Sequence, residues 1–510
     1  MHLLTAIVLC PFLAALLTVF IPANYRFVIR TVTLAATLLT AILGLILFCR
    51  FNAAPMVDGY RFVHNVMWVE SLHLQYHVGV DGINLGLILM GTIVAFAAAC
   101  VSREIKTFQK EYYILLLIMT SGILGAFASL DLFFFYFFHE LALVPTFIMI
   151  GVWGRGERRN YATFQITIYL SLGALIALAG LIAVYIASGA STFDIVEMSK
   201  YLRTNPISTN LQHLIFPFLL FGFGILVSLW PFHTWAPLGY GSAPTATAML
   251  HAGVLKKFGL YGLIRVAIPF LPDAAGSWMH VLSILCLGNI VYCGWVAMRQ
   301  KDLNLLIGNS SVAHMGFVFL GIASLSIVGV TGAVVVMVAH GFLAALTFGL
   351  SGYLYGQTRT LDMNQMSGLL QKLPFIGTAL IMAMLAGCGL PGFANFVGEF
   401  MVLFGSWHKF PLVTELCVWG ALVVGAIYML RAIRQILHGP LDENWAGIID
   451  ASSLWQKLPF VLLLACLLIF GFFPRLLTDN IKAPAAASLA QTRGAAPTPA
   501  ALAQTVSLPR

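Results

Sequence analysis

The chain has 510 residues, of which 60% are hydrophobic and 9% charged, with a mean hydropathy of +0.93. Such values exclude a soluble globular domain and leave a polytopic membrane protein. Its formal net charge of +8 follows from loops biased toward Lys and Arg and calls for no nucleic-acid partner.

Continuously apolar stretches of about 20 residues, the length that crosses a bilayer core, recur along the sequence and mark about fourteen spans. Strands of a transmembrane barrel would alternate apolar and polar residues, so the expected class is an all-α polytopic membrane protein. The opening run, MHLLTAIVLCPFLAALLTVFIPANYRFVIR, has its arginines after the apolar core and reads as a first span, not a cleaved signal. Cys10, Cys49, Cys100, Cys286, Cys293, Cys388, Cys417 and Cys466 are scattered, without CxxC or metal-ligand spacing. They read as packing residues, and no metal site is expected. With no glycine-rich nucleotide motif and no pattern for an iron–sulfur cluster or c-type haem, any redox or nucleotide chemistry is assigned to partner chains.

Ionisable groups inside apolar spans cost several kcal/mol by most estimates, and each is a functional hypothesis by default. The fifth span, SLDLFFFYFFHELALVPTFIMIGVWG, carries Glu140 nine residues after Asp131, or about 13 Å along a helix, near the bilayer midplane. Low-dielectric surroundings penalise the charged form of an acid, which suits a group that exchanges a proton. The seventh span is interrupted by Pro231, Pro237 and Pro244 in LWPFHTWAPLGYGSAPT. The eighth, beginning near Ala243, holds Lys256 and Lys257 about a dozen residues in; adjacent helical residues point about 100° apart, so the two lysines cannot face one partner. His251 lies on the same span.

His314 and His340 sit close to the middle of the tenth and eleventh spans, where an imidazole can pass a proton between its two nitrogens. The twelfth span is broken by GLPG around Pro391 and then carries Glu399. Broken helices five spans apart are the mark of internal repeats with an ion path in each interior. The expected organisation is residues 1–105 for spans one to three, 106–270 for a first repeat (spans four to eight), 271–440 for a second, inverted repeat (nine to thirteen), 441–482 for a loop and span fourteen, and 483–510 for a disordered Ala/Pro-rich tail. Loops on one side hold fifteen Lys and Arg against six on the other before the tail, which puts both termini outside, in the periplasm of a bacterial inner membrane.

Eight segments in order, FYFFHELALVPTFIMIGVWG with RRNYA, then PFHTW, APT, GVLKKFGLYGLIR, KDL, SSVAHMGF, AHG and GLPGFANFVGEF, resemble the antiporter-like membrane subunits of respiratory complex I. Among these the chain is most similar to subunit M, the counterpart of mitochondrial chain 4. The resemblance covers about residues 75 to 440. It implies a proton-translocating module of an NADH:quinone oxidoreductase, driven by quinone reduction elsewhere, with NADH, flavin, iron–sulfur clusters and quinone on partner subunits and neighbouring antiporter-like subunits and lipid around it. It also implies that Glu140 is the acid of the fifth span, Lys257 the lysine of the eighth, His314 and His340 the central polar chain and Glu399 the exit residue.

The chain departs from that pattern in its first half. The family's seventh-span lysine, thought to pair with the fifth-span glutamate, is replaced by Leu226, and a sixth-span lysine by Gln165. Lys256 stands where the family has an apolar residue. Lys256 or His251 is then the expected compensating charge. Two other readings belong to different classes: a subunit of a multi-subunit Na+/H+ antiporter, toward which PLGYGSAPT leans, and a mainly structural or coupling subunit.

Overall fold

The computed structural model describes residues 2–490 and residue 492. Helices α1 (Leu3–Phe20) and α2 (Arg26–Arg50) lead into strands β1 (Met56–Val57), β2 (Tyr60–Val69) and β3 (Leu74–Val80), which form an antiparallel sheet in the order β1-β2-β3. The sheet adds to the all-helical expectation. Its central strand, YRFVHNVMWV, is rich in aromatic and β-branched residues, which favour a pleated, half-buried surface.

Next come α3 (Gly82–Val101), α4 (Gln109–Ala128), α5 (Leu132–Trp153), α6 (Arg159–Ser188) and the short α7 (Ile195–Thr204). After a turn that separates α8 (Thr209–Val227) from α9 (Trp235–Ser242), the chain runs through α10 (Thr245–Gly253), a 3-10 turn at Leu255–Lys257, α11 (Phe258–Gly262), a π turn at Leu263–Ala267 and α12 (Ile268–Phe270). The second half comprises α13 (Pro272–Leu287), α14 (Cys293–Arg299), α15 (Leu303–Ala323), α16 (Ile327–Thr358), α17 (Pro374–Gly387), α18 (Ala394–Trp407), α19 (Pro411–Trp419), α20 (Ala426–Leu437), α21 (Leu454–Phe472) and α22 (Arg475–Ala490).

Among the described residues, 12 helices are long and apolar enough to cross a membrane. The expected count of about fourteen requires the interrupted stretch from α10 to α12, and α17 with α18, to cross as well. Helices α3, α15 and α16 are buried almost throughout and form the centre of the bundle, whereas fewer than half of the residues of α1, α2, α6 and α21 are buried. Their outward residues, such as Leu17, Phe20, Phe27, Leu175 and Phe472, offer the apolar perimeter that lipid requires.

Two short bridges recur with the same pattern. Leu132 N–H donates to Phe193 O at 2.9 Å and Ile195 N–H to Leu130 O at 2.8 Å, while Leu303 N–H donates to Leu361 O at 2.9 Å and Met363 N–H to Lys301 O at 2.9 Å. Each pair closes a bridge between two aspartates, Asp131 with Asp194 and Asp302 with Asp362. In each case the first aspartate caps a long helix, α5 or α15, with its side chain accepting from backbone N–H groups.

The helix interruptions are satisfied locally. Between α8 and α9, Ser228 adopts φ 70°, and the freed backbone groups meet one buried side chain. Asn289 Oδ1 accepts from Trp230 N–H at 2.8 Å, and its Nδ2 donates to Ser228 O at 2.9 Å and Val312 O at 3.1 Å. Of the three prolines expected to break this region, only Pro231 lies in the gap; Pro237 sits in the first turn of α9 and Pro244 is the residue before α10. A missing N–H is harmless at those positions, because the first donors of a helix have no intrahelical partner. Pro391 lies between α17 and α18, flanked by Gly389 (φ 69°) and Gly392 (φ 102°), conformations that favour glycine.

The boundaries at 105, 270 and 440 fall between helices, but that at 482 falls inside α22. The supposed disordered tail is therefore helical up to Ala490; of the rest of 483–510, all but residue 492 lies outside the described residues. Helix α22 packs its buried Leu477, Ile481, Ala485 and Leu489 inward, which is why an Ala/Pro-rich composition does not leave this part loose.

Candidate functional site

The site is built where glycines let helices meet closely. On α10 and α16, a Cβ on Gly253 would lie 3.0 Å from Gly341 O, and one on Gly341 would lie 2.9 Å from Gly253 O. On α16 and α18, a Cβ on Gly332 would lie 2.7 Å from Val402 N, and one on Gly398 2.8 Å from Val336 N. Small residues at such seams allow the backbones to approach. The first seam sets Lys257 beside His340, and the second brings the helix carrying Glu399 against the centre of the bundle.

Lys257 is fully buried. The 3-10 turn after α10 passes its N–H to Val254 O at 3.0 Å, and its ammonium donates to Ala252 O at 2.7 Å, a carbonyl near the end of α10. A further donor of the same ammonium meets His340 Nδ1 at 2.8 Å. The rings of His340 and His314 lie 5.4 Å apart between centroids. His314 Nδ1 contacts Ser310 O at 2.7 Å and its Nε2 contacts Gly387 O at 3.2 Å, with Glu399 Oε1 3.6 Å away. Gly389 leaves room for this carboxylate, since a Cβ there would meet Glu399 Oε2 at 2.9 Å.

A cavity of about 20 Å³ touches both His314 and Glu399, room for one water. The result is a buried line, Lys257, His340, His314, Glu399, whose members can each hold or pass a proton. Lys256, one residue earlier, points to α15 and donates to Ser311 Oγ at 3.2 Å, with its ammonium over the Tyr240 ring at 5.6 Å. The two lysines thus face different helices, α15 and α16.

The first half is arranged differently. Glu140 is only partly covered, its side chain 33% exposed in the single chain, and its Oε1 lies 3.4 Å from His139 Nδ1. No lysine or arginine lies within ion-pair distance of it among the described residues. His251 is buried between the rings of Trp235 and Tyr240, at 5.6 and 5.4 Å, with its Nδ1 unpartnered. Neither expected compensating group, Lys256 or His251, pairs with Glu140. Leu226 is buried in the apolar core, on α8 one turn beyond Phe223, whose ring meets Phe135 of α5. Gln165 bonds to Tyr161 on its own helix at 2.7 Å.

Sequence reasoning missed three groups. His139 stood in a quoted segment but was read only as its text. Asn289 gave no signal, because a single amide in an apolar run does not announce which break it will fill. Arg265 draws no reading of its own from the sequence, yet it is buried and ion-paired with Asp81 at 2.8 Å, and it also donates to Tyr60 OH at 2.9 Å and Tyr261 OH at 3.2 Å. Its spacing from Lys257 by two helical turns was the available clue. Among the described residues no cluster of three or more His, Cys, Asp or Glu could hold a metal ion.

Residues 129–423 match the family described as NADH:quinone oxidoreductase/Mrp antiporter, transmembrane. The chain is 34% identical to NADH-quinone oxidoreductase subunit M of Rhodobacter capsulatus over 471 residues, covering 91% of this chain and 90% of that protein. It is 32% identical to NADH-ubiquinone oxidoreductase chain 4 of Marchantia polymorpha over 464 residues, covering 90% and 92%. Among solved structures, a chain of respiratory complex I from Thermus thermophilus with bound NADH superposes with a TM-score of 0.87 at 26% identity, covering 96% of this chain and 100% of that one. A chain of the Mrp complex from Dietzia sp. shares the fold at a TM-score of 0.83 and 18% identity.

Proposed function

Since the chain belongs to the NADH:quinone oxidoreductase/Mrp antiporter transmembrane family and, within it, to the subunit M and chain 4 group, we propose that it is a proton-translocating membrane subunit of complex I, working through Glu140, Lys257, His340, His314 and Glu399. The observation that carries this reading is the buried line from Lys257 to Glu399, with a 2.8 Å contact at one end and a 3.6 Å contact at the other. A proton on the Lys257 ammonium moves to His340 Nδ1, leaving a neutral amine and an imidazolium. His340 releases a proton toward His314, and His314 passes one from Nε2 to Glu399 across a 3.6 Å contact beside a cavity with room for one water. The Lys257–His340 and His314–Glu399 steps each span 3.6 Å or less, and the two histidines border a common cavity of about 10 Å³.

Redox centres belong to other subunits, which bind NADH, flavin, iron–sulfur clusters and quinone and drive this chain through neighbouring antiporter-like subunits. The chain sits in the inner membrane with both termini outside. Its two halves, residues 106–270 and 271–440, are inverted repeats, a reading supported by the recurring aspartate bridges at Asp131 and Asp302. In structural superposition the identity is 26% to a complex I chain against 18% to an Mrp chain, and the 34% identity to a subunit M also favours complex I over the Na+/H+ antiporter.

The test is proton pumping by vesicles containing the assembled complex. Glu140→Gln keeps the side chain's shape but cannot release a proton, and a several-fold loss of NADH-driven pumping with the complex still assembled is the expected outcome. Pumping at the wild-type rate would remove Glu140 from the path.

A further inference from the structure

The first half lacks an evident partner for its acid, and the structure supplies one from the same helix. We propose that His139 is the cationic partner of Glu140. This rests on the reading of Glu140 as an acid of the proton path.

Three observations converge. His139 Nδ1 lies 3.4 Å from Glu140 Oε1, neither atom has a hydrogen-bond partner among the described residues, and the hydroxyl of Tyr136, one turn earlier, also faces this carboxyl group. The imidazole is 1% exposed and stacked on Phe258 at 3.9 Å between centroids and 21° between planes, so its position is fixed by packing. Phe258 is itself clamped by Phe135, stacked at 4.3 Å, and by the edge of Phe223 at 5.9 Å. Among the described residues no other basic group reaches the carboxylate: Lys256 is held by Ser311 and Lys257 by Ala252 O and His340.

A buried imidazole with one free nitrogen facing a carboxylate is a proton-sharing pair. The proton leaves the Glu140 carboxyl for His139 Nδ1, giving a carboxylate and an imidazolium, and returns by the reverse step, so atoms and charge balance within the pair. The present 3.4 Å is longer than the 2.7–2.9 Å or so of a charge-assisted hydrogen bond, and small rotations of the Glu140 side chain close it. Phe258, which directly follows Lys257 in the chain, holds the imidazole next to the head of the buried line. His251 adds to this neighbourhood, within electrostatic reach of His139, Lys256 and Lys257.

The experiment measures protons moved per NADH oxidised in vesicles with the assembled complex, scaled to the amount of complex on a native gel. His139→Gln is expected to lower that ratio several-fold, as Glu140→Gln does, and the double variant to be no worse than either single one. His139→Lys keeps a cation beside Glu140 and is expected to recover most of the ratio. A wild-type ratio in His139→Gln alongside a low one in Glu140→Gln would overturn the pairing and leave the proton path standing. A ratio in His139→Lys as low as in His139→Gln would reduce His139 to a packing residue. A wild-type ratio in Glu140→Gln would remove both the pairing and the role of Glu140.

Discussion

Replacing Lys257 by methionine is expected to lower quinone-coupled proton transfer about tenfold or more while the complex continues to assemble. The reasoning is local. Lys257 Nζ makes two buried contacts, to Ala252 O and to His340 Nδ1, and hydrogen bonds to charged groups contribute about 1.5–3 kcal/mol each. Methionine carries no exchangeable proton, so the transfer from Lys257 Nζ to His340 Nδ1 is lost, and a tenfold fall corresponds to only about 1.4 kcal/mol of barrier. Methionine fills nearly the same volume, so the packing around α10 and α16 is kept. Proton uptake and NADH oxidation measured on the same vesicles check the result; normal coupling in Lys257→Met would remove the head of the line.

The second large effect concerns stability. Asp81 receives the Arg265 guanidinium at 2.8 Å and caps α3 through Ile83 and Asn84 N–H. Asp81→Ala leaves a buried guanidinium without its counter-charge, at about 3–5 kcal/mol, and removes a helix cap worth about 1 kcal/mol. The expected outcome is a severe drop in assembled complex, read on a native gel of membranes. Asp81→Ala combined with Arg265→Met removes the orphaned charge together with its partner and is expected to recover much of the assembly. If the double variant is as poorly assembled as the single one, the ion pair is not the reason for the loss.

The positions of the site residues along the chain were legible because charge in an apolar run is conspicuous. Glu140, Lys257, His314, His340 and Glu399 each interrupt a run that the bilayer would otherwise keep uncharged, and GLPG around Pro391 announces a break by composition alone. Sequence spacing also separated the faces of Lys256 and Lys257. What spacing cannot give is which helices touch. The gap after α8 is filled by Asn289 from a helix about sixty residues later in sequence, and nothing local in either segment names the other.

Burial of Arg265 was hidden for a similar reason: a charge near a span end looks like a loop residue until the hairpin carrying Tyr60 and the helix capped by Asp81 fold over it. With Leu226 in the place of a lysine, Lys256 and His251 stand out in the sequence as substitutes because they are conspicuous charges on the adjacent helix. Among the described residues, the basic side chain within ion-pair distance of Glu140 is its own neighbour in sequence. Consecutive helical residues diverge by about 100°, yet a long carboxylate side chain can still reach back to the ring beside it.

On the proposed proton path through Lys257, His340, His314 and Glu399, His340 is the joint, in contact with Lys257 on one side and facing His314 on the other. The most direct measurement is the number of protons moved per NADH oxidised by vesicles holding the assembled complex, compared between wild type and His340→Leu, which keeps the site filled but cannot carry a proton. A ratio clearly below wild type, with assembly unchanged, is the result this account predicts. A wild-type ratio in an assembled His340→Leu complex would contradict it.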